Sequence, residues 1–122
     1  MQSSVREERA GKIAAFLAPS LRLKDRSGTG QPLEEKVHCF LLEHFGGYTA
    51  TAGNIFGYWK DENGEESYGE HKEYKVALVE DDRAEVLKRF LAELAAEMGE
   101  ECIYLEAGKE ASFVYASENR PA

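Results

Sequence analysis

The chain predicts an α+β fold, ferredoxin-like in its element order. Three observations carry this. Two apolar stripes recur at helical spacing, one from Leu33 to Phe45 and one from Val86 to Met98. Between them lies a strand pair centred on Asn63-Gly64, and alternating apolar stretches precede the first stripe and follow the second. The order reads βαββαβ: an antiparallel sheet with helices on one face, preceded by an N-terminal helix and followed by an extra C-terminal strand.

The elements follow in order. Ser4-Val5-Arg6-Glu7 matches a capping box, and Ala10, Ile13, Ala14 and Leu17 follow at helical spacing until Pro19. Residues 1–19 are therefore expected as a helix packed on the domain. Leu21 and Leu23 alternate with Arg22 and Lys24, which predicts a half-buried strand over residues 20–26. Pro32 suits the first turn of a helix, Glu34 and Glu35 complement its N-terminal dipole, and Gly46-Gly47 stops it. Tyr48 to Lys60 reads as extended, with a bend at Gly53, and Asn63-Gly64 predicts a two-residue type I′ turn into a return strand ending at Glu80. Asp81 or Asp82 caps the second helix, and Gly99 ends it. Cys102 to Ala107 and Ala111 to Tyr115 form a final hairpin. The domain runs over 20–116, and 117–122 reads as a flexible tail.

The two-residue turn has a consequence for the faces. It pairs Trp59 with Tyr68 and places Phe56, Tyr58, His71 and Glu73 together on one face. Aromatics then stand on both sides of the strand pair, and both sides need cover. A homodimer closing the open face of the sheet is the expected arrangement, with the N-terminal helix as the alternative cover.

Composition narrows the function classes. The 122 residues carry 23 acidic and 15 basic side chains, a net charge of −8, which disfavours direct nucleic acid and acidic membrane surfaces as partners. Arg22, Lys24 and Arg26 form the densest basic group, read as the charged face of an edge strand. Cys39 and Cys102 read as buried, reduced thiols, with no C-x-x-C motif to suggest zinc or dithiol chemistry. The N-terminus is polar and no apolar run approaches membrane-spanning length, so a cytoplasmic location is expected.

Phe56, Tyr58, His71 and Glu73 are the most site-like group, with His71 as a general acid or base, Glu73 orienting it and Tyr58 donating a hydrogen bond. The competing reading places His71 and Glu73 at the solvated rim of an interface. Tyr48 and Thr49 beside Gly46-Gly47 offer a second ligand candidate. His38 and His44 are six residues apart and share no helix face, so no metal is expected, and no cofactor motif is present. Gly28-Thr29-Gly30 lacks the lysine of a P-loop and is a weak phosphate signal. Asp61, Glu62, Glu65 and Glu66 make an acidic hairpin tip suited to a basic partner. The leading expectation is a small homo-oligomeric binding or regulatory module that uses its open sheet face for self-association and for a partner protein or small ligand. A small enzyme built on His71, and an acidic inhibitor of a nucleic-acid-binding protein, are the alternatives.

Overall fold

The computed structural model describes residues 4–78, 80 and 82–117. It contains a six-stranded antiparallel sheet and two α-helices, an α+β arrangement. The strands are β1 (Lys12–Pro19), β2 (Thr49–Ala50), β3 (Ile55–Lys60), β4 (Glu66–Leu78), β5 (Cys102–Ala107) and β6 (Glu110–Tyr115). The helices are α1 (Leu33–Phe45) and α2 (Arg83–Met98). Along the sheet the order is β2-β4-β1-β5-β6, and β3 also pairs with β4.

The first element is the main correction. Residues 4–11 carry no regular structure, and Lys12–Pro19 is a strand, not a helix. Ile13 to Ala18 is a short, uninterrupted apolar run, too short to separate helix from strand by spacing alone. Its neighbours decide. β1 lies between β4 and β5, and burial follows every second residue: Ala14, Phe16 and Ala18 are fully enclosed. The strand expected at 20–26 is also absent. Pro19 ends β1, and Arg22–Lys24 forms a single 3-10 turn with Leu23 buried. Arg22 lies near Asp25 and Glu100, and Arg26 donates to the Gly30 carbonyl, so these basic residues do not share a strand face.

Both helices behave as their sequences require. Pro32 precedes α1, Glu34 and Glu35 stand in its first turn, and Gly46 closes it in the left-handed conformation at φ 77°. Gly99 closes α2 likewise, and Asp82 precedes α2 without a side-chain cap. The alternative cap, Asp81, lies outside the described residues, as do Val79 and the tail beyond Ser117. Phe40 of α1 stacks on Phe90 of α2 at 3.8 Å. Val37 and Leu41 of α1, and Leu87, Leu91 and Leu94 of α2, meet Phe16, Tyr74, Ile103 and Leu105 in one core. The helices thus cover one face of the sheet, and among the described residues no helix covers the other.

The hairpin between β3 and β4 differs from a two-residue turn. The Asp61 amide bonds to the Glu65 carbonyl, and the Gly64 amide to the Asp61 carbonyl. The Asp61 carboxylate accepts from the Asn63 and Glu65 amides, both at 2.9 Å. These bonds enclose three residues, with Gly64 at φ 81° in the left-handed position that such loops require. The register becomes Trp59 with Ser67 and Tyr58 with Tyr68, one residue away from the type I′ expectation. One residue of slip exchanges the faces.

Cys39 is exposed and Cys102 half-buried, and both are free, so neither is the enclosed thiol expected from its apolar neighbours. No helix among the described residues is long and apolar enough to cross a membrane.

Tyr74 provides a test of the core. It stacks on Phe16 at 5.0 Å, and its buried hydroxyl has no hydrogen-bond partner among the described residues. Burial, followed by the charges of Glu34 and Tyr48, pushes this phenol well above its ordinary range. The folded state therefore holds its proton longer than the unfolded chain, which releases it as pH rises through about 10. Stability from this group is complete below that pH and declines above it. Tyr74→Phe is expected to raise the unfolding free energy by about 1 kcal/mol at neutral pH, and to flatten its decline in alkali. Denaturant melts of both proteins at neutral and strongly alkaline pH check the two effects.

Candidate functional site

The uncovered face of the sheet holds a cleft of about 590 Å³, a size suited to a small organic ligand. Strand alternation decides which side chains reach it. On β1 these are Leu17 and Pro19, on β5 Cys102 and Tyr104, and on β6 Phe113 and Tyr115. The far wall is the β3–β4 pair, with Gly57, Trp59 and His71. Glu100 and Glu101 line the cleft just before β5. The cleft is therefore largely aromatic, with two carboxylates beside it.

The β3–β4 wall is built around two facing glycines. Gly57 pairs with Gly69, and neither has a Cβ to fill the space above the strands. Rings occupy it instead. A Cβ on Gly69 would sit 3.2 Å from Cε1 of His71 and 3.3 Å from Cη2 of Trp59, and one on Gly57 would sit 3.4 Å from the same His71 carbon. The two rings meet edge-on, with centroids 6.2 Å apart. Nδ1 of His71 lies 2.9 Å from the Gly69 carbonyl. A carbonyl only accepts, so Nδ1 carries a proton and donates it to the backbone. The backbone, not Glu73, orients this histidine.

Across the cleft, Tyr104 and Phe113 are paired neighbours with ring centroids 5.9 Å apart. Burial, the hydrogen bond to Glu106 and that carboxylate's charge together push the Tyr104 hydroxyl up from its ordinary value. Burial also raises the Cys102 thiol, aided by Glu101 and Glu100. A raised thiol holds its proton and is a poor nucleophile.

The residues singled out from sequence divide. His71 lines the cleft, and Glu73 shares its face, but Glu73 sits beside Leu17 and outside the lining. Phe56 and Tyr58 alternate to the opposite side of the arm, where Tyr58 stacks on Tyr68 at 5.8 Å. Tyr58 belongs to the cleft's rim, but the four residues do not form one cluster. Tyr48 turns toward the helices, bonding Nδ1 of His38 through its hydroxyl at 2.7 Å and packing near Tyr74, while Thr49 is exposed on β2, away from the cleft. Asp61, Glu62, Glu65 and Glu66 stand exposed at the arm's tip, where Asp61 shapes the turn. His44 packs against Phe40 at 4.5 Å, and no group of potential metal ligands occurs among the described residues.

Trp59, Tyr104, Phe113, Tyr115, Glu100 and Glu101 line the cleft without being singled out by the sequence. The type I′ register placed Trp59 on the wrong face. The alternation of Tyr104, Phe113 and Tyr115 is legible in the sequence, but an expected helix over residues 12–19 leaves these strands without a link to β4.

No family model matches the chain, and no curated protein matches it by sequence. Among solved structures, a phage SAM lyase in complex with S-methyl-5'-thioadenosine has a similar fold, with a TM-score of 0.56 and 12% identity, covering 97% of this chain and 100% of that one. The apo state of a phage SAM lyase matches over the same shares at a TM-score of 0.55 and 12% identity. At this identity the likeness is one of fold. It is nonetheless a likeness to an enzyme, which overturns the expectation of a binding or regulatory module.

The glycine pair makes a prediction that needs no ligand. Trp59 is the sole tryptophan, so its emission reports on this wall alone. Gly69→Ala is expected to shift that emission, because the added methyl meets both rings at close range, whereas Gly57→Ala leaves it nearly unchanged. Fluorescence spectra of the two variants, with circular dichroism to confirm folding, check the contrast.

Proposed function

We propose that this chain is a small enzyme that binds S-adenosylmethionine in the open-face cleft and releases S-methyl-5'-thioadenosine. The observation that carries the reading is the aromatic, carboxylate-edged cleft on a chain whose fold follows that of the phage SAM lyase over 97% of its length. In support of it, we read the order β2-β4-β1-β5, with both helices on one face, as ferredoxin-like and extended by β6.

The chemistry of the cleft suits such a substrate. A purine is a flat apolar surface that stacks on aromatic rings, and Tyr104, Phe113 and Tyr115 supply them. The sulfonium and ammonium groups are cations, favoured by Glu100, Glu101 and a protein of net charge −8. Release of the thioether breaks one carbon–sulfur bond, and both electrons go to sulfur, which becomes neutral. The carbon left behind is closed by the fragment's own carboxylate oxygen, which forms the new carbon–oxygen bond. No protein nucleophile is required, in keeping with a Cys102 thiol whose proton is held. The chain's contribution is to fold the substrate so that carboxylate and carbon meet, and to exclude water.

Incubation of the purified protein with S-adenosylmethionine, followed by chromatography of the nucleosides, is the direct test. S-methyl-5'-thioadenosine is expected to accumulate faster than in a protein-free control. Tyr104→Ala and Phe113→Ala are each expected to lower kcat/KM by tenfold or more, on the order of the loss of a stacked ring and its burial. Formation at the protein-free rate would overturn the reading.

We also propose a homodimer formed through the β3–β4 arm. Toward its turn, β4 pairs only with β3, and Phe56, Tyr58 and Tyr68 on one side and Trp59 on the other are at least half exposed. A two-stranded arm of this kind is marginal in water by itself. A second copy, related by a two-fold axis, offers it a matching apolar surface. Native mass spectrometry at micromolar concentration is expected to show a dimer that Tyr58→Ser/Tyr68→Ser dissociates, and a monomeric parent protein would refute the assembly.

A further inference from the structure

We infer that Trp59, seated over Gly69 beside His71, is the subsite that reads the positive charge on the ligand's sulfur. This rests on the proposed function and assigns the two ends of the cleft.

The cleft is asymmetric. The β5–β6 side presents Tyr104, Phe113 and Tyr115, a broad surface for a purine. The β3–β4 side presents one indole and one imidazole, set at 72° to each other over bare backbone. Such a corner fits a compact group better than a plane. Its chemistry favours a cation. An indole face attracts positive charge more strongly than any other side-chain ring. The His71 ring is held against the backbone by its Nδ1 donating to the Gly69 carbonyl, which leaves Nε2 as the ring nitrogen not used in that bond. Lys60 is the one lysine or arginine in the lining, and it shares the Tyr58 side of the arm, away from Trp59 and opposite Glu66. Glu101 stands in the same cleft with no ion pair to a described residue. The corner itself therefore holds no lysine or arginine, and a carboxylate without a described ion pair stands in the same cleft.

Gly69 has the positioning role. It removes the side chain that would separate the two rings, and its carbonyl holds the imidazole. Alanine at this position forces both rings outward.

The test compares ligands that differ in charge at one atom. Sinefungin retains a cationic amine near the position of the sulfonium and has no leaving group. S-adenosylhomocysteine has the same ends with a neutral thioether, and S-methyl-5'-thioadenosine lacks the amino-acid end. Isothermal titration, with Trp59 emission as a second readout in the parent protein, gives the three affinities. The cation is expected to bind roughly threefold to thirtyfold more tightly than the neutral thioether, the range of a cation–π contact. Trp59→Leu is expected to reduce that ratio by roughly threefold or more, the share of the cation–π contact. Trp59→Phe should restore part of the preference, and Gly69→Ala should lose part of it. A ratio near one in the parent protein, or one unchanged in Trp59→Leu, overturns the subsite and leaves the proposed function standing. Failure of all three ligands to bind overturns both.

Discussion

The structure depends on one central strand. β1 pairs with β4 along eight residues on one side and with β5 on the other, and so it joins the two halves of the sheet. Its alternate residues are committed twice. Ala14, Phe16 and Ala18 enter the helical core, where Phe16 stacks on Tyr74. Leu17 and Pro19 face the cleft and form its floor between the β3–β4 wall and the β5–β6 wall. A strand occupied on both faces must be apolar throughout, which is why this segment shows no clean alternation. Without it the two walls would have no fixed separation.

The β3–β4 arm is controlled by a smaller constraint. The Asp61 carboxylate captures two backbone amides and sets a three-residue loop. That choice places Trp59 and His71 together and sends Phe56 and Tyr58 to the other side. The glycine pair then lets the two rings lie against the backbone. A turn residue thus decides which aromatic side chains belong to the cleft, through the two-residue period of a strand and not through any contact with a ligand.

The cleft and the core divide the polar work between the two faces of the sheet. On the helix side, the one buried hydroxyl without a described partner is that of Tyr74, held among rings. On the open side, polar groups stand at the edge of an apolar surface: the Tyr104 hydroxyl with Glu106, the Cys102 thiol beside Glu101 and Glu100, and the His71 imidazole on the Gly69 carbonyl. The Tyr104 hydroxyl and the Cys102 thiol hold their protons, and the carboxylates stand at the rim. What such a cleft presents is shape and electrostatics more than a reactive side chain.

Local chemistry made much of the fold legible from sequence. The stripes of α1 and α2, the proline and glycines that bound α1, the glycine that ends α2, and the β5–β6 hairpin are short-range features. They depend on periodicity and on backbone preferences within a few residues. His71 was legible as a candidate because a histidine amid aromatics stands out, and it lines the cleft. Tertiary structure decided the remainder. Ile13 to Ala18 has a pattern that fits a helix or a buried strand, and only pairing with β4 and β5 selects the strand. Asn63-Gly64 fits two hairpin loops, and the Asp61 carboxylate, accepting from the Asn63 and Glu65 amides, selects the longer one. The cleft draws on five strands brought together by these two choices, so its membership is a long-range property. Spacing along the chain records the elements and their caps, whereas the distance between Trp59 and Tyr104 depends on which strand lies between them.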